Sequence, residues 1–474
     1  MPPSLALLLW FILLVTLLRF DPARDSTASP ALWVPVITMF IAASRTPSQW
    51  LDGQVGLSAQ ALEEGNPLDR IISSVLILLA IGILMSRPIK WGSFVTHNLA
   101  LMAFVCFALV SVCWSDFPLV TFKRWFRDLG NYLVILVVLS DPRPLEAVRT
   151  VLRRLGYLLV PLSILLIKYF SEIGRHYSFW TGEVEYIGAT TSKNMLGLAC
   201  LISGLFFFWD TAMLWSERKQ RRTKRIILTN VAFIAMTLWL LNDAHSTTSN
   251  VCLFLGCLVI AAAQSKVFRR RPWFLKSLIA AFFCLYLILN FGFDMNGSMA
   301  GAVGKDPTLT DRTRIWAFLL GMHIDPLIGT GYQSFWLGPR LQLFWQTSGL
   351  GHLNEAHNGY LEVYLELGLI GVILLIGFLI ASYRSICRRL GPSSSLAVLG
   401  LAAWMALVFY NMSEAAFEAG LLWMTLLMGA IAQPERAKHR IHSIAPFDNA
   451  DAADLLPELA LETTGVQTAK WSER

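Results

Sequence analysis

A series of long apolar segments is the sequence feature that most constrains the fold of this chain. Most segments have about 15 to 22 residues, close to the roughly 20 that a helix needs to cross a bilayer. Lipid offers no partner to a free backbone amide, so such segments must form helices. We therefore predict an all-α, polytopic membrane bundle of 12 or 13 transmembrane helices, at about 4–18, 32–45, 71–86, 98–113, 131–140, 155–170, 194–215, 226–242, 249–264, 274–293, 360–383, 394–412 and 416–432.

Composition excludes the main soluble classes. Charged residues make up 15% of the chain and apolar residues 55%, whereas soluble domains carry roughly a quarter charged residues. The seven cysteines lie in apolar segments or, for Cys387, in a basic connector, so neither a disulfide framework nor a paired-thiol metal site is expected. The net charge of +7 comes from basic connectors, which indicate membrane orientation rather than nucleic-acid binding.

The basic connectors predict which loops lie on each side of the membrane. Cytoplasmic loops are enriched in Lys and Arg, and the basic stretches here are 87–90, 143–154, 218–225, 266–271, 384–389 and 436–440. The external connectors are then 46–70, 115–130, 171–193, 243–248, 294–359 and 413–415. The side of the membrane on which the N-terminus lies stays open. The short segment 131–140 is compatible with a re-entrant helix, which would change the number of crossings.

Four regions follow from this topology. Residues 1–293 form N-terminal transmembrane helices, 294–359 a long periplasmic loop with short helices, and 360–432 C-terminal transmembrane helices. Residues 433–474 are polar and are expected to be a disordered cytoplasmic tail. A loop as long as 294–359 in a compact protein is usually functional, so we expect the chemistry there.

The external segments contain basic residues that suit an anionic phosphate group. The planar guanidinium of Arg pairs with phosphate oxygens and stabilises negative charge that develops on them. Arg312, Arg314 and Arg175 are therefore the candidate cations. Histidine has an unperturbed pKa near 6.5, so a neutral imidazole at His357 would take or polarise the proton of an attacking hydroxyl.

Several short motifs resemble one membrane enzyme family. They are 114–118 (WSDFP), 193–194 (KN), 310–316 (TDRTRIW), 326–332 (PLIGTGY), 357–358 (HN), 368–371 (GLIG) and 411–414 (NMSE). The spacing from His357 to Gly368 and Gly371 resembles the signature of the O-antigen ligases. The motifs at 114, 193 and 411 resemble the exopolysaccharide-production branch, the Wzy-type polymerases. The resemblance extends from about residue 100 to 432.

The resemblance implies a metal-independent membrane glycosyltransferase without a cofactor. Such an enzyme transfers glycan units from a polyprenyl-diphosphate carrier to an acceptor hydroxyl at the periplasmic face of the bacterial inner membrane. The family's signature histidine corresponds to His357 and its loop arginine to Arg312, which are the expected catalytic residues. The residues expected to bind substrate around them are Arg175, Arg314, Lys193, Asn358, His245 and Glu414.

This sequence departs from the family's pattern at two places. Asp311 stands where Gly is usual, and the stretch 245–249 lacks the Arg that the ligases carry in this turn. The second departure favours the polymerase branch and leaves Arg175 or Lys193 to supply the missing charge.

Three residues near the signature histidine have expected structural roles. Asn358 either orients the ring of His357 or caps the following helix. Gly368 and Gly371, three residues apart, are expected to let a neighbouring helix approach closely.

Three other functions stay open at this point. An O-antigen ligase acting on a lipid A-core acceptor uses the same carrier chemistry and differs in its acceptor. A polysaccharide transporter or flippase predicts repeated halves and mid-membrane charges, whereas the ionisable residues here gather at external helix ends. The third is a non-enzymatic scaffold. The expected partners are the lipid-linked donor, the glycan acceptor, the lipid bilayer and other polysaccharide assembly proteins, with no nucleic acid.

Overall fold

The computed structural model describes most of the chain and all but one of the predicted site motifs in full. It describes residues 1–434 apart from 23–28, 53–62, 64, 178–181, 266–267, 269–270, 272, 275–276, 278–311, 391–394 and 418–419. Most of the predicted span at 274–293, the first part of the long loop with Asp311, and nearly all of the predicted tail therefore lie outside the described residues.

Helices form nearly all of the regular structure in the described N-terminal part. They are α1 (Pro3–Arg19), α2 (Trp33–Ala43), α3 (Pro47–Asp52), α4 (Pro67–Met85), α5 (Trp91–His97), α6 (Leu99–Val110), α7 (Pro118–Leu139), α8 (Pro144–Tyr169), α9 (Ser171–Gly174) and α10 (Lys193–Leu214). Two short antiparallel strands, β1 (Arg175–Tyr177) and β2 (Val184–Tyr186), form a hairpin before α10.

The described C-terminal part is also helical. Its helices are α11 (Arg221–Ala244), α12 (Thr247–Gln264), α13 (Arg312–Leu320), α14 (Gly338–Thr347), α15 (Gly359–Arg389), α16 (Ser395–Tyr410) and α17 (Leu421–Ala430). The two short helices α13 and α14 lie within the predicted long loop. The all-α fold class is confirmed.

Six of the described helices are long and apolar enough to cross a membrane. They are Pro67–Met85, Pro144–Tyr169, Lys193–Glu217, Arg221–Asp243, Thr247–Gln264 and Gly359–Arg389. The pair Trp91–His97 and Leu99–Cys113, bent by 91°, would make a seventh. Four shorter apolar helices are Pro3–Arg19, Pro30–Ala43, Ser395–Tyr410 and Leu421–Ala430. The polytopic membrane class is thus confirmed, and the total of 12 or 13 stays a prediction.

The apolar segment 131–140 belongs to a longer helix. α7 begins at Pro118, a first-turn position that needs no backbone N–H, and continues for 22 residues to Leu139. Its N-terminal half contains the basic residues Lys123, Arg124 and Arg127, which is why hydropathy alone misses it. The structure therefore extends this helix into the stretch predicted as an external connector.

Buried charges tie together three helices at the end predicted to be cytoplasmic. Arg153 on α8 is only 3% exposed, and its Nη2 lies 2.9 Å from Oδ2 of Asp210 on α10. Nε of the neighbouring Arg154 lies 2.8 Å from Oδ2 of Asp21, which follows α1. Buried ions need partners of this kind. Residues predicted to mark an inner loop at 143–154 thus lie mostly within α8.

The long helix α15 is broken at Gly368, where φ is 61° and ψ is −166°. The segment 326–331 packs into this break and replaces helical backbone hydrogen bonds with its own. Backbone hydrogen bonds of 2.8–3.1 Å join the pairs Thr330–Leu365, Gly331–Glu366, Leu369–Pro326 and Ile370–Leu327. The break therefore attaches the long loop directly to a membrane helix.

The surroundings of Gly368 and Gly371 differ from the expected helix–helix contact. A Cβ on Gly368 would lie 2.2 Å from the carbonyl carbon of Leu327, and one on Gly371 would lie 2.2 Å from Cβ of Leu367. The loop therefore occupies the space beside Gly368, and the atoms nearest to Gly371 belong to its own helix, so the helix–helix contact at these glycines stays a prediction. A close contact between helices is found at Gly400 of α16 and Gly429 of α17.

Candidate functional site

A buried carboxylate, Glu414, brings together side chains from separate parts of the chain. Its side chain is 6% exposed, and Nη2 of Arg312 lies 2.6 Å from its Oε1. On the other oxygen, Oε2, Nδ2 of Asn194 donates a hydrogen bond of 2.9 Å and Nδ1 of His357 lies at 3.3 Å. Nδ1 of His357 also lies 2.9 Å from Oε1 of Glu355. Arg312, Glu355, His357 and Glu414 are called the charge cluster below.

Helix ends position the cluster. The backbone N–H of Gly359, which begins α15, donates to the carbonyls of Asn411 and Glu414 at 2.9 Å each. A Cβ on Gly359 would lie 1.9 Å from Oδ1 of Asn411, so only glycine permits this close approach. Oδ1 of Asn358 accepts from the amides of Tyr360 and Leu361 at 3.1 Å each. Asn358 therefore caps α15, as one of the two predicted roles requires.

The backbone at His357 is held in an unusual conformation. Its φ of 49° lies in the left-handed region, which few residues other than glycine adopt. Neighbouring contacts impose it, since the indole of Trp316 donates to the carbonyl of Ala356 at 2.9 Å and the amide of Ala356 donates to Oε2 of Glu362 at 2.7 Å. Strained backbone held in this way is frequent at functional sites.

Two carboxylates keep the ring of His357 protonated. Burial alone would lower the pKa of His357, but the charges and hydrogen bonds of Glu355 and Glu414 outweigh it and raise the pKa to about 10. Burial would likewise raise the pKa of the Glu355 carboxyl, whereas His357 and Arg312 lower it, and the lowering dominates. The geometry thus gives an imidazolium at neutral pH, in place of the neutral imidazole expected from the sequence.

The cluster also has a spacing that suits a metal ion. Glu355, His357 and Glu414 each place one donor atom within 4.8 Å of the others. However, Arg312 and Asn194 already contact the two oxygens of Glu414, and a metal ion would lie beside the Arg312 guanidinium. With both cations ionised the cluster has two positive and two negative charges, so mutual ion pairing accounts for its contacts.

Arg175 and Lys193 make contacts with residues outside the charge cluster. Nε of Arg175 donates to the carbonyl of Ile167 at 3.0 Å, and its guanidinium lies 5.6 Å from the ring centroid of Tyr186. Nζ of Lys193 lies 2.7 Å from Oε1 of Glu185. Among the described residues, the second positive charge beside Arg312 therefore comes from His357, and these contacts do not place Arg175 or Lys193 there.

Two more predicted residues are exposed near the site. Arg314 is exposed on α13, two residues from Arg312. His245 is exposed at the C-terminal cap of α11, with a φ of 48°. It lines a cavity of about 720 Å³ that also contains Lys193. The structure thus divides the predicted residues among five places. Arg312, His357 and Glu414 are in the charge cluster, Lys193 and His245 line this cavity, Arg314 is on α13, Arg175 is on β1 and Asn358 caps α15.

Sequence reasoning missed two members of the site. Glu355 lies two residues before His357, and a carboxylate at that distance was a signal for an ion pair. Asn194 belongs to the Lys193-Asn194 motif, but nothing in its spacing indicated a hydrogen bond to Glu414, 220 positions away. Only the fold brings the two together.

Comparison with known proteins points to one family. Residues 231–376 match the family described as O-antigen ligase. Over 306 residues the chain is 26% identical to the exopolysaccharide production protein ExoQ of Rhizobium meliloti (strain 1021), an alignment that covers 63% of this chain and 67% of that protein. The matched family region contains Arg312, Glu355, His357 and the 326–331 segment, while Asn194 and Glu414 lie outside it.

Proposed function

Because residues 231–376 match the family described as O-antigen ligase, we propose that this membrane protein is a glycosyltransferase of exopolysaccharide assembly. It polymerises glycan units by transferring them from a polyprenyl-diphosphate carrier to an acceptor hydroxyl. The observation that carries this proposal is the charge cluster, in which two cations, Arg312 and His357, share one buried carboxylate. Fixed, partly buried cations are what a diphosphate leaving group needs.

The first step is binding of the donor diphosphate. The guanidinium of Arg312 and Nε2–H of the His357 imidazolium donate to its oxygens, and charge-assisted bonds of this kind are stronger than neutral ones. Nε2 makes no hydrogen bond with the described residues, because both contacts of the ring are through Nδ1. Glu414 holds both cations in place and offsets their charge before the donor arrives.

The second step is transfer of the glycan. The acceptor oxygen forms a bond to the anomeric carbon while the bond from that carbon to the phosphate oxygen breaks, and the electron pair leaves with the diphosphate. The hydroxyl proton passes to Glu355, whose side chain is 41% exposed, unlike the buried Glu414. His357 therefore stabilises the leaving group in this scheme, and the carboxylate replaces it as proton acceptor.

The predicted orientation supports a periplasmic site in the bacterial inner membrane. The cluster lies at the helix ends opposite the basic connectors, which the positive-inside rule places in the cytoplasm. Nucleotide sugars are not available in the periplasm. A lipid-linked donor, whose bond energy was supplied in the cytoplasm, therefore suits a periplasmic site. The proposed transfer uses Arg and His charges and no metal or cofactor.

Polymerisation is favoured over ligation by one observation. The relative found over 63% of the chain is named for exopolysaccharide production, whereas an O-antigen ligase would deliver glycan to a lipid A-core acceptor. A transporter would bind the same lipid-linked glycan without breaking its glycosyl bond.

The test uses single variants in the exopolysaccharide-producing cell. Arg312→Ala and His357→Ala should abolish polymer and leave single glycan units on the lipid carrier in the outer leaflet. Arg340→Ala and His352→Ala are matched controls, because Arg340 pairs with Asp116 and His352 stacks on Trp345, and neither partner belongs to the charge cluster. Full-length polymer in both cluster variants would refute the mechanism, and units retained in the inner leaflet would indicate a flippase.

A further inference from the structure

A cavity of about 720 Å³ opens between the β1–β2 hairpin and the ends of three helices. Its volume lies within the roughly 300–1,000 Å³ that small-molecule sites occupy. Its polar lining includes Glu183, Glu185, Lys193, Asn242, Asp243, Thr247 and Asn250. The hairpin forms one wall, and the ends of α10, α11 and α12 form the other.

Two contacts join the cavity wall to the charge cluster. Lys193 of the wall precedes Asn194, whose Nδ2 donates to Oε2 of Glu414 at 2.9 Å. Thr247 of the wall precedes Thr248, whose Oγ1 lies 2.7 Å from Oγ of Ser413, the residue before Glu414. Arg312 contacts Oε1, the other oxygen of the same carboxylate. Asn194 thus shares Oε2 with His357, and the cavity wall reaches the cluster through the neighbours Asn194 and Thr248.

The wall has the chemistry of a site for sugar hydroxyls. Its acidic side chains are Glu183, Glu185 and Asp243, and its one lysine, Lys193, is paired with Glu185 at 2.7 Å. Carboxylates accept hydrogen bonds from hydroxyls, and the Asn242 and Asn250 amides both donate and accept. The same excess of carboxylates repels phosphate, uronate or other anionic substituents.

We propose that this cavity binds the acceptor glycan, through a part of the chain whose sugars carry no acidic substituent. The assignment rests on the proposed transferase function, in which the donor diphosphate lies at Arg312 and His357. An acceptor held here presents its hydroxyl to the cluster from the side of Asn194 and Ser413. The hairpin and the helix ends therefore determine which glycan is extended.

The experiment measures acceptor and donor dependence separately in proteoliposomes. The donor is lipid-linked glycan extracted from the producing cell, and the acceptors are neutral and acidic oligosaccharides released from that cell's polymer by partial hydrolysis. Asn242→Trp fills the cavity from its exposed wall position, and Asp243→Lys reverses its charge. Leu228→Trp is the matched control, because Leu228 lies on the same helix, is 70% exposed and is not part of the cavity wall.

The proposal predicts that changes in the cavity alter KM for the acceptor and leave KM for the donor nearly unchanged. Asn242→Trp should raise KM for the neutral acceptor at least tenfold, while KM for the donor changes less than twofold and Leu228→Trp changes neither. Asp243→Lys should weaken neutral acceptors and improve acidic ones. Unchanged acceptor KM in both variants, or preference of the wild type for acidic acceptors, would overturn the cavity assignment.

A binding measurement separates this proposal from the transferase function. Fluorescently labelled neutral acceptor should bind purified His357→Ala protein as it binds the wild type, and Asn242→Trp should abolish that binding. If the wild type transfers glycan but these binding results fail, only the acceptor site is wrong. If the wild type binds acceptor in the cavity yet transfers nothing, the transferase function fails instead. The thermal unfolding midpoint of each variant checks that the comparison is between folded proteins.

Discussion

The guanidinium of Arg312 lies 2.6 Å from a carboxylate oxygen of Glu414, although the two residues are 102 positions apart in the chain. Arg312 begins the loop helix α13, and Glu414 follows α16. Their ion pair therefore fixes the long loop to the helix bundle at the point where His357 also contacts Glu414. One carboxylate thus sets the positions of both proposed diphosphate ligands.

Removing the charge of Glu414 should disrupt both cations at once. We expect Glu414→Gln to lower the transfer rate about 10²-fold or more, in the range that loss of one electrostatic stabilising group produces. Loss of a partner from a buried pair also costs about 3–5 kcal/mol of stability, so the unfolding midpoint should fall. Transfer rates of the purified, folded fraction measure the effect. Asp116→Asn, which removes the partner of Arg340, is the control, and equal rates for the two variants would contradict the role of Glu414.

The rate should depend on pH through an imidazolium rather than a neutral imidazole. Because the pKa of His357 is raised to about 10, its charge is present at neutral pH and is lost as pH rises through that value. The wild-type rate should therefore stay constant from pH 7 to 9 and fall above it. The stability that the raised pKa contributes is complete below the unfolded value near 6.5, declines as pH rises above it, and is lost once pH passes the folded value of about 10.

A variant identifies the group responsible for this pH profile. Glu355→Gln removes both the proposed proton acceptor and the carboxylate that most favours the imidazolium, so the rate should fall at every pH and its decline at high pH should begin at a lower pH. Initial rates between pH 6 and 11 measure both profiles. A wild-type rate that instead rises with a midpoint near pH 6.5 would show that neutral His357 is the base, as the sequence suggested.

The break in α15 should tolerate no side chain. Gly368→Ala places a Cβ 2.2 Å from the carbonyl carbon of Leu327 at a positive φ, so we expect a loss of about 2–4 kcal/mol from overpacking and left-handed strain together. Gly377→Ala, on the same helix with nothing within 4 Å of the added Cβ, should be neutral or slightly stabilising. Thermal unfolding midpoints in detergent distinguish them, and equal midpoints would mean that the 326–331 segment does not pack into the break.

Chelation should leave activity unchanged. The donor atoms of Glu355, His357 and Glu414 lie within 4.8 Å of one another, but Arg312 already balances the charge of Glu414. Proteoliposomes treated with EDTA should therefore transfer glycan at the untreated rate. Loss of activity that Mg²⁺ or Mn²⁺ restores would instead assign these side chains to a metal ion.

The fold class could be predicted from sequence because hydropathy acts over a whole segment. The helix that begins at Pro118 was missed in part, because Lys123, Arg124 and Arg127 interrupt its apolar pattern. The apolar segment 360–383 predicts one continuous helix. The break at Gly368 is not apparent from it, because the break is caused by the 326–331 segment, some 40 residues away in the chain. Patterns along one helix do not report what packs against it.

Sequence indicates candidate site residues best where a family motif contains a side chain with suitable chemistry. Arg312 and His357 are expected from the family resemblance together with their chemistry, and the structure brings both to Glu414, while their catalytic roles stay a prediction. The protonation state of His357 could not be predicted, because it depends on Glu355 and Glu414 lying within 2.9 and 3.3 Å of one ring nitrogen. Arg175 and Lys193 were plausible cations by charge alone, but Tyr186 and Glu185 are their neighbours in the fold.

Transfer from purified lipid-linked donor by Arg312→Ala and His357→Ala proteins in proteoliposomes tests the central claim most directly. The measured quantity is the initial rate at which glycan leaves the polyprenyl diphosphate and joins a longer chain. We predict that each variant is at least 10²-fold slower than the wild type, while Arg340→Ala and His352→Ala stay within threefold. Wild-type rates in both cluster variants would contradict the assignment of the diphosphate to Arg312 and His357.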